Sequence, residues 1–245
     1  MVQLNPFIST DCVIFGFDQG TLNVLLVKRD YTNATSSNTD CYKLPGNLVQ
    51  NDEDLDLSAK RVLKELTGIE NIYLKNFGTF GKPDRLTSHP EDLEWLRITS
   101  ELPEISRVVT IAYYSLIKLG GTNAKAALVD GANWFDIKNL PKLSFDHSEI
   151  LHAALETIRK ELQFEPLVFE LLPKKFTLRQ LQTLHELIYG FEFDNRNFRK
   201  KVVKWPFLIP LDEKQEKVAH KPAQFFKFDR KTFEKVKKDF FAPGI

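Results

Sequence analysis

Residues 44–69 read LPGNLVQNDEDLDLSAKRVLKELTGI, and this stretch decides the fold. Leu44-Pro45-Gly46 reads as the end of a strand. A polar loop follows. Leu55, Ala59, Val62, Leu63 and Leu66 then recur at helical spacing and cover one broad face. Thr67-Gly68 closes the helix, with glycine as the left-handed terminator. Glu53, Arg61 and Glu65 are spaced along this strand–loop–helix unit.

The same residues resemble a Nudix box. The family pattern runs Gly, five residues, Glu, seven residues, Arg-Glu, apolar, any, Glu-Glu, any, Gly, apolar. Gly46, Glu53, Arg61, Leu63, Glu65, Gly68 and Ile69 fit, with six residues between Gly46 and Glu53. Val62 and Leu66 stand where the family has Glu. The resemblance implies that magnesium in the family is held largely by three Glu on one edge of this helix, and magnesium demands several oxygen ligands. Only Glu65 of the three remains. One carboxylate cannot gather the ions that neutralise a diphosphate during hydrolysis. The resemblance therefore implies the Nudix fold without Nudix catalysis: no catalytic residue, no metal, no cofactor. Glu53 and Arg61 read as a structural ion pair, and Glu65 as a lone helix-surface carboxylate.

Upstream of the box, Asp11–Phe17 and Leu22–Arg29 read as strands around the turn Asp18-Gln19-Gly20. Asp30–Thr39 is rich in Asn, Ser and Thr and reads as a loop, and its sequon Asn33-Ala34-Thr35 carries no meaning in a cytoplasmic protein. Downstream, Ile72–Phe80 and Arg107–Leu116 read as strands. Leu86–Ser106 breaks the strand rhythm and reads as an inserted surface excursion with one short helix. Asn133–Phe135 is another strand, and Asp146-His147 precedes a helix over Ser148–Leu162. The Nudix resemblance covers Asp11–Leu162 and implies an α/β (α+β) chain whose first part is an α/β/α sandwich.

No apolar run reaches transmembrane length. Met1–Thr10 lacks the basic and apolar regions of a signal peptide. Cys12 and Cys41 are the only cysteines among 245 residues. They are too few for a disulfide framework or a zinc cluster, and a cytoplasmic location follows. A net charge of +1 hides an asymmetry: Pro166–Ile245 carries 17 Lys and Arg against 10 Asp and Glu, the remainder 17 against 23. An acidic front and a basic back suggest two domains, 1–163 and 164–245, with nucleic acid as the partner of the second.

In the back half, Pro166–Leu172 reads as a short helix stopped by Pro173. Thr177-Leu178-Arg179-Gln180 is a capping box. The helix it starts buries Leu181, Leu184, Leu187 and Ile188 and ends at Gly190. Asp194 caps the next helix, Asn195–Trp205, with Phe198, Val202 and Trp205 on one side and Arg196 and Lys200 on the other. Phe207–Leu211 and Gln224–Phe228 read as a hairpin whose tip carries Lys214, Lys217, His220 and Lys221. Two helices, a basic helix and a basic-tipped hairpin form a winged helix-turn-helix. Its basic helix would present Arg and Asn to base edges, and its lysines would reach phosphates.

Together the halves are similar to the Nudix-related bacterial transcription regulators. The matching runs are Leu172-Pro173, Phe176-Thr177-Leu178, Gln180-Leu181-Gln182, Glu186, Ile188-Tyr189-Gly190, Asp194, Arg196–Lys200 and Lys221–Phe225. The resemblance implies a homodimeric DNA-binding repressor whose Nudix-like domain binds a small effector. The fit of Cys12–Phe17, Ala59–Leu63, Ile111–Tyr114 and Phe145-Asp146-His147 favours the branch that answers to a pentose such as L-arabinose. The alternatives are the ADP-ribose-responsive branch that controls NAD metabolism and an active Nudix hydrolase with a DNA-binding tail. For DNA contact the expected residues are Thr177 (at a phosphate), Arg179, Arg196, Asn197, Arg199, Lys200, Lys204 and, in the wing, Lys221. For the effector they are Lys43, Asp84, Arg85, Tyr113, Asp146 and His147, polar groups near strand ends and the box.

Overall fold

A computed structural model describes residues 4–29, 41–119, 128–162, 164–216 and 221–240. These residues divide into two compact units. One comprises Met1–Gly16, Asn23–Ile117 and Gly121–Leu155, the other Phe17–Leu22, Lys118–Gly120 and Glu156–Ile245. The last turns of the helix that ends the first half thus group with the second unit, a few residues before the boundary read at 163.

The first unit is built on a mixed-length sheet. Its strands are β1 (Leu4–Asp18), β2 (Thr21–Lys28), β3 (Tyr42–Lys43), β4 (Gly46–Gln50), β5 (Lys75–Phe80), β6 (Val109–Lys118) and β7 (Ala132–Asp136). The order is β3-β2-β1-β6-β5, with β4 on β1 and β7 on β2. Strand β1 begins earlier than its apolar run because β4 pairs with it, Asp11 opposite Gly46 and Leu4 opposite Gln50. The segment after Gly46, read as loop, is therefore strand as far as Gln50. Gln19 and Gly20 both have positive φ, 49° and 83°. That is the backbone a tight turn between twisted antiparallel strands requires.

Helix α1 (Leu55–Thr67) has the expected ends. The Asp54 side chain accepts from Leu57 N, and Gly68 is left-handed at φ 76°. Ala59 and Leu63 pack with Cys12, Ile14, Leu25, Val27 and Tyr113 in one core cluster, and Leu66 lies against it. Val62 is fully buried, whereas Leu55 is exposed, so the apolar face is narrower than its spacing suggests. Burial pushes the Cys12 thiol pKa up, as for an inert core cysteine.

Residues 86–106 are more than a surface excursion. They form helix α2 (Pro90–Ser100), and Leu86, Leu93 and Ile105 pack with Leu48, Val108 and Phe145 in a second core cluster. Helix α3 (His147–Glu161) buries Ile150, Leu151, Ala154 and Ile158.

The second unit contains α4 (Val168–Leu171), β8 (Phe176–Thr177), α5 (Leu178–Tyr189), α6 (Asn195–Val202), β9 (Leu208–Lys214), β10 (Gln224–Phe228) and α7 (Arg230–Phe240). The strands form a three-stranded sheet in the order β8-β10-β9, antiparallel in both pairings. An aromatic core holds it together. Phe169 stacks on Phe228 at 4.2 Å, and Phe207 meets Phe233 edge-on at 5.2 Å. Helix α6 stops at Val202. Trp205 lies beyond it, half-buried between His185 and Phe207. No helix of the described residues is long and apolar enough to cross a membrane.

Candidate functional site

In the first unit, strand ends, the last turn of α1 and helix α2 surround a cavity of about 440 Å³. That is within the size range of small-ligand sites. Its polar lining includes Ser9, Asp11, Lys43, Arg85, Thr110 and His147, and its apolar lining includes Leu66, Leu86, Trp95 and Phe145.

Asp11 is 5% exposed, and its carboxylate lies over the Cα of Gly46 on the neighbouring strand. A Cβ at Gly46 would fall 1.6 Å from Asp11 Oδ1, so only glycine leaves room for that carboxylate. Lys43 is buried beside it and donates from Nζ to the Gly46 carbonyl at 2.6 Å. Burial pushes the Lys43 ammonium down to about 8, against the opposing pull of Asp11. His147 Nδ1 accepts from Leu44 N at 2.9 Å, which leaves the proton of the neutral ring on Nε2, 3.8 Å from Asp11 Oδ1. Burial lowers the pKa of His147.

Arg85 and Asp146 form a buried bidentate pair, Nε to Oδ2 at 2.9 Å and Nη2 to Oδ1 at 2.6 Å. Arg85 Nη1 also donates to Val108 O and Thr110 Oγ1, and the Thr110 hydroxyl meets that of Ser9 at 2.7 Å. Burial would raise the Asp146 pKa, but the hydrogen bonds and charge of Arg85 outweigh it and hold the carboxyl below its usual range.

Helix α2 fixes the aromatic wall. Asp92 pairs with Arg29 and accepts the backbone N–H of Phe145. Phe145 sits at φ 53°, a region a bulky residue adopts only when its surroundings impose it. The Arg29 guanidinium lies 4.6 Å from the Trp95 ring centroid.

Of the effector residues read from sequence, the structure brings Lys43, Arg85 and His147 to the cavity, with Asp146 directly behind Arg85. Asp84 and Tyr113 are corrections. Asp84 is exposed away from the lining, and Arg85 pairs with Asp146 rather than with its sequence neighbour. Tyr113 belongs to the core under α1, where its hydroxyl donates to Asp56 at 2.7 Å. Sequence reading missed Asp11, Ser9, Trp95 and Phe145. The pairing of Asp11 with a glycine across two strands had no local signal.

The box residues form a brace. Arg61 donates to Glu53 from Nε at 2.8 Å and from Nη2 at 2.5 Å, to Leu48 O at 3.1 Å and to Glu65 at 3.0 Å. Glu53 also accepts Gln50 N–H, and Arg61 holds its pKa down at about 2. Glu65 is thus committed to Arg61, Val62 is buried, and Leu66 is apolar. These residues do not fit the magnesium cluster that the fold family implies. Among the described residues no group of three or more His, Cys, Asp or Glu could hold a metal ion.

The second unit presents a cationic helix. Thr177 caps α5 and Gln180 returns the bond, completing the capping box. Thr177 is 3% exposed, and its hydroxyl is committed to Gln180, so it is unsuited to reach a phosphate. The turn into α6 is pinned by two buried-side contacts. Gln182 Nε2 donates to Phe193 O at 3.1 Å, and Glu186 Oε1 accepts Phe193 N–H at 3.0 Å. Asp194 caps α6 through Asn197 N. Phe198 and Val202 face inward. Arg196, Asn197, Arg199, Lys200 and Lys204 are all exposed, as is Lys201, which the sequence reading left out. Arg179 is exposed at the start of α5. In the wing, Lys214 and Lys221 are exposed, while Lys217 and His220 lie outside the described residues.

Residues 168–228 match the NrtR DNA-binding winged helix domain. The ADPR responsive transcriptional repressor NtrR of Acinetobacter baylyi is 28% identical over 235 residues, spanning 94% of this chain and 85% of that protein. The ADP-ribose pyrophosphatase of Methanocaldococcus jannaschii is 28% identical over 150 residues, 61% of this chain and 73% of that protein. The crystal structure of Shewanella oneidensis NrtR complexed with a 27mer DNA superposes with a TM-score of 0.66 at 22% identity, covering 94% of this chain and 96% of that one. The chain thus has the fold of that structure, a Nudix-type α/β domain followed by a C-terminal winged helix domain.

Proposed function

We propose that this protein is a transcriptional repressor that binds DNA through α6 and the wing and is controlled by ADP-ribose bound in the cavity of the Nudix-type domain. The observation that carries the reading is the face of α6. Arg196, Asn197, Arg199, Lys200 and Lys201 stand exposed on a helix whose entry is pinned by Gln182, Glu186 and Asp194, with Lys204 just past its end, inside the stretch that matches a DNA-binding winged helix. Arg196 and Asn197, in the first turn, suit base edges. Arg199, Lys200, Lys201 and Lys204 suit phosphates. A homodimer follows from the pairing of half-sites one or more helical turns apart that such domains use.

For the effector, ADP-ribose is preferred to the pentose first read from sequence. The A. baylyi relative that spans nearly the whole chain is described as ADPR responsive, and the M. jannaschii relative acts on ADP-ribose. The cavity offers what such a ligand needs: the buried ammonium of Lys43 for a phosphate oxygen and the Trp95 and Phe145 rings for a base. The domain binds without hydrolysing, because the box residues brace a loop instead of gathering metal. An effector favouring the DNA-incompetent form releases the operator by no more than its differential affinity, and a tenfold release needs about 1.4 kcal/mol.

Selection of duplexes from a random library on the full-length chain, with elution by ADP-ribose, tests both halves. Enrichment of one motif, eluted by ADP-ribose, is expected. Magnesium-dependent release of AMP from ADP-ribose would favour the hydrolase reading instead.

A further inference from the structure

Helix α7 lies wholly beyond residue 228, where the stretch matching a DNA-binding winged helix ends. It carries five Lys and Arg against two Asp and Glu. These cations differ in what they touch. Arg230 pairs with Glu170 of α4, and Lys237 donates to Glu165 at 2.5 Å. Phe233 is fully buried against Phe207 and Phe228, and Asp229 binds the first turn through Lys231 N and the Thr232 hydroxyl. The inner side of the helix is thereby fixed. Lys231 and Lys235, one turn apart, stand on its exposed face beside Glu234. Place matters as well as charge. Asp229 N–H donates to Phe207 O at 2.9 Å, and Phe207 packs on Trp205, so α7 starts against the segment that directly follows Lys204. Its exposed lysines thus stand next to the end of the cationic surface of α6. A duplex carries one phosphate charge per about 1.7 Å of its axis, so DNA held by α6 offers acceptors past the end of that helix.

We propose that Lys231 and Lys235 of α7 contact duplex phosphates and extend the DNA interface beyond the winged helix itself. This rests on the proposed DNA-binding role of α6. The contacts hold the protein on the duplex and read no base, since phosphates carry no sequence information. Each releases about one counterion when DNA binds. Arg230 and Lys237, already matched to carboxylates, seat the helix instead.

The test is fluorescence anisotropy of the full-length protein over a series of salt concentrations, on a duplex from the random-library selection and on a scrambled duplex of the same length. The double variant Lys231→Ala with Lys235→Ala is compared with wild type and with Lys60→Ala with Lys138→Ala, which removes the same charge from exposed sites in the first unit. Alanine is the better helix former, so α7 is kept, and circular dichroism melts check it. In the α7 variant the slope of log affinity against log salt should fall by about two. The ratio of affinities for the two duplexes should stay the same, and the first-unit variant should behave as wild type. If wild type binds with sequence preference and the α7 variant keeps its slope, or both double variants lower the slope alike, the α7 contact is wrong and the repressor reading stands. An intact slope with an altered oligomeric state in sedimentation velocity would give this face to a second copy of the chain and equally overturn the DNA contact. If wild type binds without sequence preference and the α7 variant alone loses slope, the contact stands and the operator reading falls. No salt-sensitive binding by wild type overturns both.

Discussion

Replacing Asp146 by Ala removes the carboxylate from the bidentate pair that ties the segment after β5 to the start of α3. Arg85 is 5% exposed, and it keeps its bonds to Val108 O and Thr110 Oγ1 while Nε and Nη2 lose their acceptors. A buried cation left with unpaired donors is the costly case. Breaking such a pair destabilises by about 3–5 kcal/mol, whereas replacing both partners with apolar side chains is often neutral or better. With a urea slope of about 2 kcal/mol per molar, Asp146→Ala should lower the midpoint by about 1.5–2.5 M. The assay is urea unfolding followed by fluorescence in a Trp205→Phe background, so that Trp95 and Trp134 of the first unit report. The double variant Arg85→Met with Asp146→Leu should recover most of the loss. The pair also sets a pH dependence. Because the folded-state pKa of Asp146 is depressed, its contribution is complete above the unfolded carboxyl value and is lost as pH falls through the folded one. Wild type should therefore lose stability on the acid side more steeply than the apolar double variant. A loss under about 1 kcal/mol for Asp146→Ala, the range of solvated surface pairs, would refute the reasoning.

Glu53 gives a second acid-side signal. With its folded pKa at about 2, its brace to Arg61 is complete above the unfolded carboxyl value and fades as pH falls toward 2, so Glu53→Gln should flatten the stability profile in that window. Thr177→Ala should destabilise the winged helix domain by about 1 kcal/mol in chemical denaturation, the usual cost of an N-cap, and leave the salt dependence of DNA binding unchanged. Arg196→Ala should relax sequence preference by about 1–3 kcal/mol at one base pair, measured as the affinity ratio of operator to mismatched duplex. Lys200→Ala should instead weaken binding to all sequences and reduce the slope of log affinity against log salt by about one.

The parts that sequence conveyed are those set by neighbours along the chain. The apolar spacing of α1 with Gly68, the Thr177–Gln180 box, the Asp194 cap and the cationic face of α6 are all specified within a few residues. The parts it withheld depend on pairing at long range. Asp11 becomes a cavity carboxylate only because Gly46 lies opposite it in the sheet. Arg85 finds Asp146, 61 residues on, rather than the adjacent Asp84. Helix α2 was hardest to read, since Leu93 is its one buried residue and it carries no strong apolar stripe. Its importance comes from Asp92, which holds Arg29 and Phe145 together across the chain. Tyr113 misled because a tyrosine at a strand centre suits a ligand site as well as a core, and its hydroxyl found Asp56.

The most direct test of ADP-ribose-controlled DNA binding is fluorescence anisotropy of the full-length protein on the duplex upstream of its own gene, at two salt concentrations, titrated with ADP-ribose and then with L-arabinose. The account predicts sequence-preferring binding that weakens with salt and is released by ADP-ribose but not by arabinose. Binding without sequence preference, or release by arabinose alone, would contradict it.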